Sequence, residues 1–366
     1  MQNKYLDIIG MMTGTSVDGI DVSYVKSNGL DLINLNSNYF YKFDELVRDK
    51  ILNIMHENLN IKFKFKKYFD NLITKEHYNA IREANVIGNV DIIGFHGQTI
   101  YHNPKKKISI QYGNPKFLSK LINKKIVFNF RQKDIDNNGQ GAPLAPIYHK
   151  HLIEKNFIDL PACILNIGGI SNITYFDGKR LIGFDTGPGN CLIDDFVKLK
   201  LGINFDENGK LGFLGSPNKN LLNYLLNNDF FSKKPPKSLD RNFLQEVFQE
   251  ILKTKINVND VISTLSQFTI ECIYKSLSIL PKYPRNMVVT GGGNKNEYLL
   301  NLLKKKLSCN IISNNELNID GDFIESELIG YLSARTFYNL PITFSSTTGV
   351  VKDMCGGKIY FYKNPF

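Results

Sequence analysis

The 366-residue chain is 42% hydrophobic and 12% aromatic, too apolar for a disordered protein and long enough for roughly two domains of about 100–200 residues each. No apolar run approaches the ~20 residues that span a bilayer, and no secretory leader precedes the first strand-like segment. The five cysteines (Cys163, Cys191, Cys272, Cys309, Cys355) form no CxxC pair, so a soluble, reduced, cytoplasmic protein without zinc ribbon or disulfide framework is predicted.

The net charge of +10 is concentrated in one place. Pro104–Lys133 holds nine Lys/Arg (Lys105, Lys106, Lys107, Lys116, Lys120, Lys124, Lys125, Arg131, Lys133) and no Asp or Glu. No nucleic-acid module accompanies it, so it reads as a solvated basic face and no nucleic-acid partner is expected.

In chain order, the pattern predicts strands at Tyr5–Ile9, Ile20–Val25 and Leu30–Phe43, with Asp44 as a helix N-cap. Helical spacing covers Asp44–Leu59 and about Lys67–Val86, and Asp91–Phe95 is a buried strand. The order then repeats. Strands are predicted at Cys163–Ile167, Asn172–Phe176 and Leu181–Phe184, and helices at about Cys191–Lys200, Leu221–Leu226, Phe243–Leu252 and Val261–Leu280, before a strand at Asn286–Thr290. Two such units predict a duplicated α/β fold of two lobes with a cleft between them. The first lobe is placed at 1–143, the second at 144–340, with 341–366 packing back on the first.

Four glycine-rich turns carry the chemistry. In Gly10–Asp21 (GMMTGTSVDGID), Gly14 and Gly19 allow close approach of backbone to an anion, while Thr13, Thr15 and Ser16 supply donors around Val17 and Ile20. Asp18 and Asp21 suit Mg²⁺, which favours one or two carboxylates plus phosphate oxygens. No GxxxxGK[ST] is present, so this is no P-loop. The second turn, LNIGGISNIT, repeats the logic at Gly168 and Gly169. In the third, GFDTGPGN, Asp185 ends a strand and suits a general base, although the same position would also cap a helix starting near Asn190. The fourth, VVTGGGNKN, passes through Gly291, Gly292 and Gly293 into an Asn-capped helix, a turn on which an adenosine can lie.

Together these turns resemble those of the sugar kinase/Hsp70/actin superfamily, implying a two-lobed, duplicated actin-like ATPase fold with a central cleft. More narrowly, GMMTGTSVDGIDV, GFHGQTIYH, NFRQKDIDNNGQGAPLAP, LNIGGISNIT, GFDTGPGN and DFIESELIGYLSAR are similar to segments of the anhydro-N-acetylmuramic acid kinase family, in the family's order. The resemblance implies an ATP- and Mg²⁺-dependent enzyme. It would open the 1,6-anhydro ring of anhydro-N-acetylmuramic acid with water and phosphorylate O6, in cell-wall recycling. It also implies a base at Asp185, a second acidic group at Glu325 that contacts sugar, ATP phosphates on the Gly14–Asp21 hairpin, and sugar contacts from His96, Gln98 and Arg131. A homodimer is a further family expectation.

The lactyl carboxylate of that sugar calls for a bidentate arginine, for which Arg131 is the candidate; an ion pair with Asp134 or Asp136 is its alternative. A kinase of the same superfamily acting on another sugar remains the alternative reading of function. His77 and the remaining histidines outside these motifs read as structural or surface residues.

Overall fold

The computed structural model describes residues 3–14, 16–239 and 241–362, and the chain divides into two compact units, 1–151 with 322–366 and 152–321. The first unit opens with β1 (Leu6–Met12), β2 (Gly19–Ser27) and β3 (Leu32–Lys42), an antiparallel meander. Asp44 caps the next helix, Glu45–His56, by accepting from the Leu46 N–H, as the sequence predicted. The long helix Leu59–Ala84 buries Phe69, Ile73, His77, Ala80 and Ile81, a stripe at three- and four-residue spacing. β4 (Ile92–Phe95) is buried at all four positions, as suits a strand lying parallel to β1 and covered on both faces. A hairpin of β5 (Gln98–Asn103) and β6 (Ile108–Tyr112) intervenes before β7 (Lys125–Phe128).

The second unit repeats this plan. β8 (Ala162–Ile167), β9 (Ile170–Phe176) and β10 (Leu181–Pro188) form an antiparallel meander, and β11 (Asn286–Thr290) and β12 (Asn310–Ser313) lie parallel to β8 on its other side. Helices Cys191–Leu201, Lys219–Leu226, Arg241–Leu252 and Val258–Leu277 stand between β10 and β11.

The chain then returns to the first unit through the helix Ile324–Phe337 and β13 (Lys358–Tyr360). The first sheet has the order β13-β7-β4-β1-β2-β3 and the second β10-β9-β8-β11-β12. Apart from the extra edge strand β13, replacing β1, β2, β3, β4 and β7 by β8, β9, β10, β11 and β12 converts the first sheet into the second, strand senses included. The duplicated α/β architecture expected from the sequence is therefore the one adopted.

The expected division at 143 and 340 moves to 151 and 321. The reason is the seating of the helix Ile324–Phe337. A Cβ on Gly10 would meet Ser326 O at 2.0 Å and Gly330 N at 2.6 Å, and one on Gly94 would meet Ser333 Oγ at 2.4 Å. Glycines in β1 and β4 let this helix press directly on the first sheet, so it belongs with that sheet and not with the second unit.

All five cysteines are free thiols. Among the described residues no helix is long and apolar enough to cross a membrane. Of the basic stretch, Lys105, Lys106, Lys107, Lys116, Lys120, Lys125 and Lys133 are exposed, the solvated face expected.

Candidate functional site

In the first unit the Gly10–Asp21 segment is the β1–β2 hairpin tip. Thr15 lies outside the described residues. Val17 takes φ 56°, a left-handed conformation that is costly for a β-branched residue, and is fully buried. The turn is thus held in shape by packing, with Val17 N–H donating to Gly14 O at 3.3 Å. Gly19 is explained by close packing: a Cβ there would meet Tyr41 O at 2.2 Å. At Gly14 only Ser16 Oγ, at 3.5 Å, lies near the added carbon, so this is the open glycine of the pair.

Two buried side chains support this tip. Gln98 Nε2 donates to Gly14 O at 3.2 Å, while its Oε1 is buried with no partner among the described residues. His77 Nδ1 lies 2.8 Å from Ile73 O and must donate to it, leaving Nε2 to accept from the Thr13 hydroxyl at 3.3 Å. Burial pushes His77 down to about 4, so it stays neutral. From the sequence His77 reads as a structural or surface residue; its helical spacing with Ile73 and Ile81 was the available signal for the buried place it takes.

Asp18 pairs with Arg48 Nη2 at 3.2 Å, and the same nitrogen lies 3.4 Å from Ser16 O. Arg48 is a second residue missed from the sequence, four positions past the Asp44 cap and so on the helix turn facing the hairpin. Asp21 differs. It shares a face of β2 with Ser23, whose hydroxyl lies 2.7 Å from Ser326 Oγ, next to Glu325. Among the described residues no three His, Cys, Asp or Glu gather as a metal site. The donor set therefore fits a cation held by one carboxylate together with phosphate oxygens better than one chelated by both aspartates.

The sugar-loop candidates form one connected group in this unit. Arg131 Nε donates to His96 Nε2 at 3.2 Å and its Nη1 to Gly141 O at 2.9 Å. His96 Nδ1 donates to Gly97 O at 2.9 Å, which fixes its tautomer, and burial with the Arg131 charge pushes it to about 3. Asp134 is committed elsewhere: it accepts from Gly141 N–H at 2.6 Å and from Thr348 Oγ1 at 2.6 Å. The Gly141 turn is thereby tied to both Arg131 and Asp134. Glu325, in the first turn of its helix, is reached by solvent, yet desolvation raises its carboxyl while Arg131 opposes that shift.

In the second unit three of the glycine-rich turns converge on one short stretch of backbone. Asn190 N–H donates to Gly168 O at 2.8 Å and Gly189 N–H to Gly169 O at 2.9 Å. A Cβ on Gly291 would meet Asn166 Oδ1 at 2.2 Å, and one on Gly293 the Ile167 side chain at 2.4 Å. Gly292 is less crowded, with Asn190 Nδ2 at 3.5 Å. Asn296 caps the following helix, Glu297–Lys306, as expected.

Asp185 lies across from Asn172 in the β9–β10 ladder, at a register break between Asp185 and Gly187. Such a break re-aims a side chain. The cap of the helix Cys191–Leu201 is Asn190, and the Asp185 carboxylate instead accepts from Leu239 N–H at 2.9 Å, which removes the capping alternative. Burial raises Asp185 to about 6, against the lowering effects of Leu239 N–H and Lys237. A carboxylate at that value can take a proton near neutral pH.

Residues 6–362 match the family model of anhydro-N-acetylmuramic acid kinase. The chain belongs to the anhydro-N-acetylmuramic acid kinase family. The kinase of this name from Pelagibacter ubique is 39% identical, covering 97% of this chain and 98% of its own. That from Rhodopseudomonas palustris strain BisB18 is 37% identical, covering 96% and 98%. Among solved structures, the activator of 2-hydroxyisocaproyl-CoA dehydratase from Clostridium difficile aligns over 92% of this chain and 97% of its own, with TM-score 0.44 and 11% identity.

Proposed function

We propose that the protein is an ATP-dependent anhydro-N-acetylmuramic acid kinase. In this reading it adds water across the 1,6-anhydro bridge and transfers the γ-phosphoryl group to O6, giving N-acetylmuramic acid 6-phosphate and ADP. Family membership supports the substrate, and the Asp185 environment is the observation that carries the chemistry.

In this reading Asp185 takes a proton from water as the water oxygen bonds to C1. The C1–O6 bond breaks, O6 bonds to the γ-phosphorus, and the bond from that phosphorus to the bridging oxygen of ADP breaks. Phosphoryl transfer asks chiefly for positioning and charge stabilisation. The backbone N–H groups around Gly14 and around Gly168–Gly169 would hold the phosphates, and the Gly291–Gly293 turn the adenosine. Mg²⁺ would be held by Asp21, with Asp18 near it, and would offset charge on the phosphoryl oxygens. Arg131, oriented by His96 and Gly141 O, would bind the lactyl carboxylate, with Glu325 and Gln98 Oε1 facing sugar hydroxyls.

Mass spectrometry of the product formed in ¹⁸O-water tests this reading. One label on C1 and an unlabelled phosphate on O6 are expected. An anhydro sugar left unchanged by the Mg-ATP-supplied protein overturns it.

A further inference from the structure

The Asp185 strand is flanked by a segment that no motif singled out. Asp185 N–H donates to Lys237 O at 3.2 Å, and two residues on, Leu239 N–H donates to the Asp185 carboxylate at 2.9 Å. Lys237 itself is only 6% exposed. Its Nζ donates to Phe230 O at 3.1 Å and stands 4.6 Å from the Phe230 ring centroid and 5.4 Å from that of Phe184, the residue preceding Asp185. One wall of the ammonium's cage, Phe184, is therefore the β10 neighbour of Asp185, while the other, Phe230, comes from outside that strand.

Burying an ammonium costs several kcal/mol, and a methionine would fill the same space without that cost. The charge must be opposed by something nearby. The titratable groups whose charges act on Lys237 are Cys272 from the helix Val258–Leu277, Asp185, and Lys233 from its own loop, while Lys275 and Glu271 act on the Cys272 thiol. Burial holds the Cys272 thiol neutral and Lys233 is a like charge, so Asp185 is the anion of the set. Burial brings Lys237 down to about 8, which leaves it mostly charged at neutral pH.

We propose that Lys237 is a positioning residue for the base: its caged ammonium keeps Asp185 ionised, and its backbone, with Leu239, fixes the direction of the carboxylate. The proposal rests on the reading of Asp185 as base. An opposite charge near a carboxylate favours its ionised form, and here the Lys237 charge opposes the larger effect of burial on Asp185.

The test compares the full-length parent with Lys237→Met, Lys237→Gln, Lys237→Arg and Asp185→Asn, reading kcat/KM for the sugar against pH. In Lys237→Met or Lys237→Gln the acid limb is expected to move up by about one pH unit, roughly a fivefold loss at pH 6 that shrinks by pH 8. The KM for ATP is expected to hold, and Lys237→Arg to return the limb to its parental place. A folded neutral variant with an unmoved limb overturns the proposal. So does failure of both neutral variants to fold while Lys237→Arg folds, since the charge would then serve the fold. An active Asp185→Asn enzyme overturns the base assignment itself; an inactive one with an unmoved Lys237→Met limb sinks only the role of Lys237.

Discussion

Arg131 donates from Nε to His96 Nε2 across 3.2 Å, and His96 can accept there only because its other nitrogen donates to Gly97 O. Both ring nitrogens are used, so His96 orients the arginine and has no free nitrogen with which to titrate. The imidazole is expected to show neutral-tautomer ¹⁵N shifts down to about pH 4, and a protonated ring at pH 6 would contradict the arrangement. His96→Leu leaves the Arg131 Nε bare, which costs about 1–3 kcal/mol. That corresponds to a rise of roughly 5- to 150-fold in KM for the sugar, with the KM for ATP little changed.

Asp185 is held above its ordinary value, from 3.8 to about 6, so folding favours its protonated form. Stability from this group is full below pH 3.8 and is lost as pH rises through about 6. Two units correspond to about 3 kcal/mol. Asp185→Asn, which keeps an acceptor for Leu239 N–H, is therefore expected to melt several degrees higher than the parent at pH 7 and alongside it at pH 4. Its turnover should fall by orders of magnitude. Equal melting temperatures at pH 7 would show that the strain is absent.

The Asp18–Arg48 pair is largely solvated, with side-chain exposures of 57% and 38%. Such pairs contribute about 0–1 kcal/mol. Asp18→Asn should therefore leave the melting temperature nearly unchanged and raise the KM for Mg-ATP modestly. Asp21→Asn should raise the Mg²⁺ concentration needed for half-maximal rate more than tenfold. Reversal of that order, read by Mg²⁺ titration at saturating sugar, would move the cation to Asp18.

Gly10→Ala places a carbon within 2.0 Å of Ser326 O, and backbone cannot step aside as a flexible side chain can. Overpacking of this kind costs about 1–3 kcal/mol and more when backbone must move. A fall in melting temperature of at least several degrees is expected, together with loss of activity, because the displaced helix carries Glu325. A variant with parental stability would refute the close seating of that helix.

The two three-strand meanders, β4 and β11 were legible because alternation and turn residues mark short buried strands sharply, whereas the short strands β7, β12 and β13 were not predicted. The β8–β10 meander and the Asp44 and Asn296 caps fell where their residue types put them. The β5–β6 hairpin was not predicted, since its alternation is broken by lysines and the attention of the pattern falls on charge there. The helix Ile324–Phe337 was assigned to the wrong unit because no local property of a sequence reveals which distant sheet a glycine has left room for. At the site, Gly, Asp and Asn positions stood out by residue type alone. The parts that His77, Arg48 and Lys237 take did not, because each acts through a neighbour brought close only by folding. Lys237 had no signal beyond being a lysine between Pro236 and Ser238.

The helix Ile324–Phe337 also sets an order of events in synthesis. The second unit is one uninterrupted run, 152–321, and all five strands of its sheet have been synthesised before Ile324 is added. The first unit has by then five of the six strands of its sheet and an uncovered surface over Gly10 and Gly94. The part of the molecule translated first is thus the part finished last, and a nascent chain halted before residue 324 would expose that surface to chaperones and to other chains.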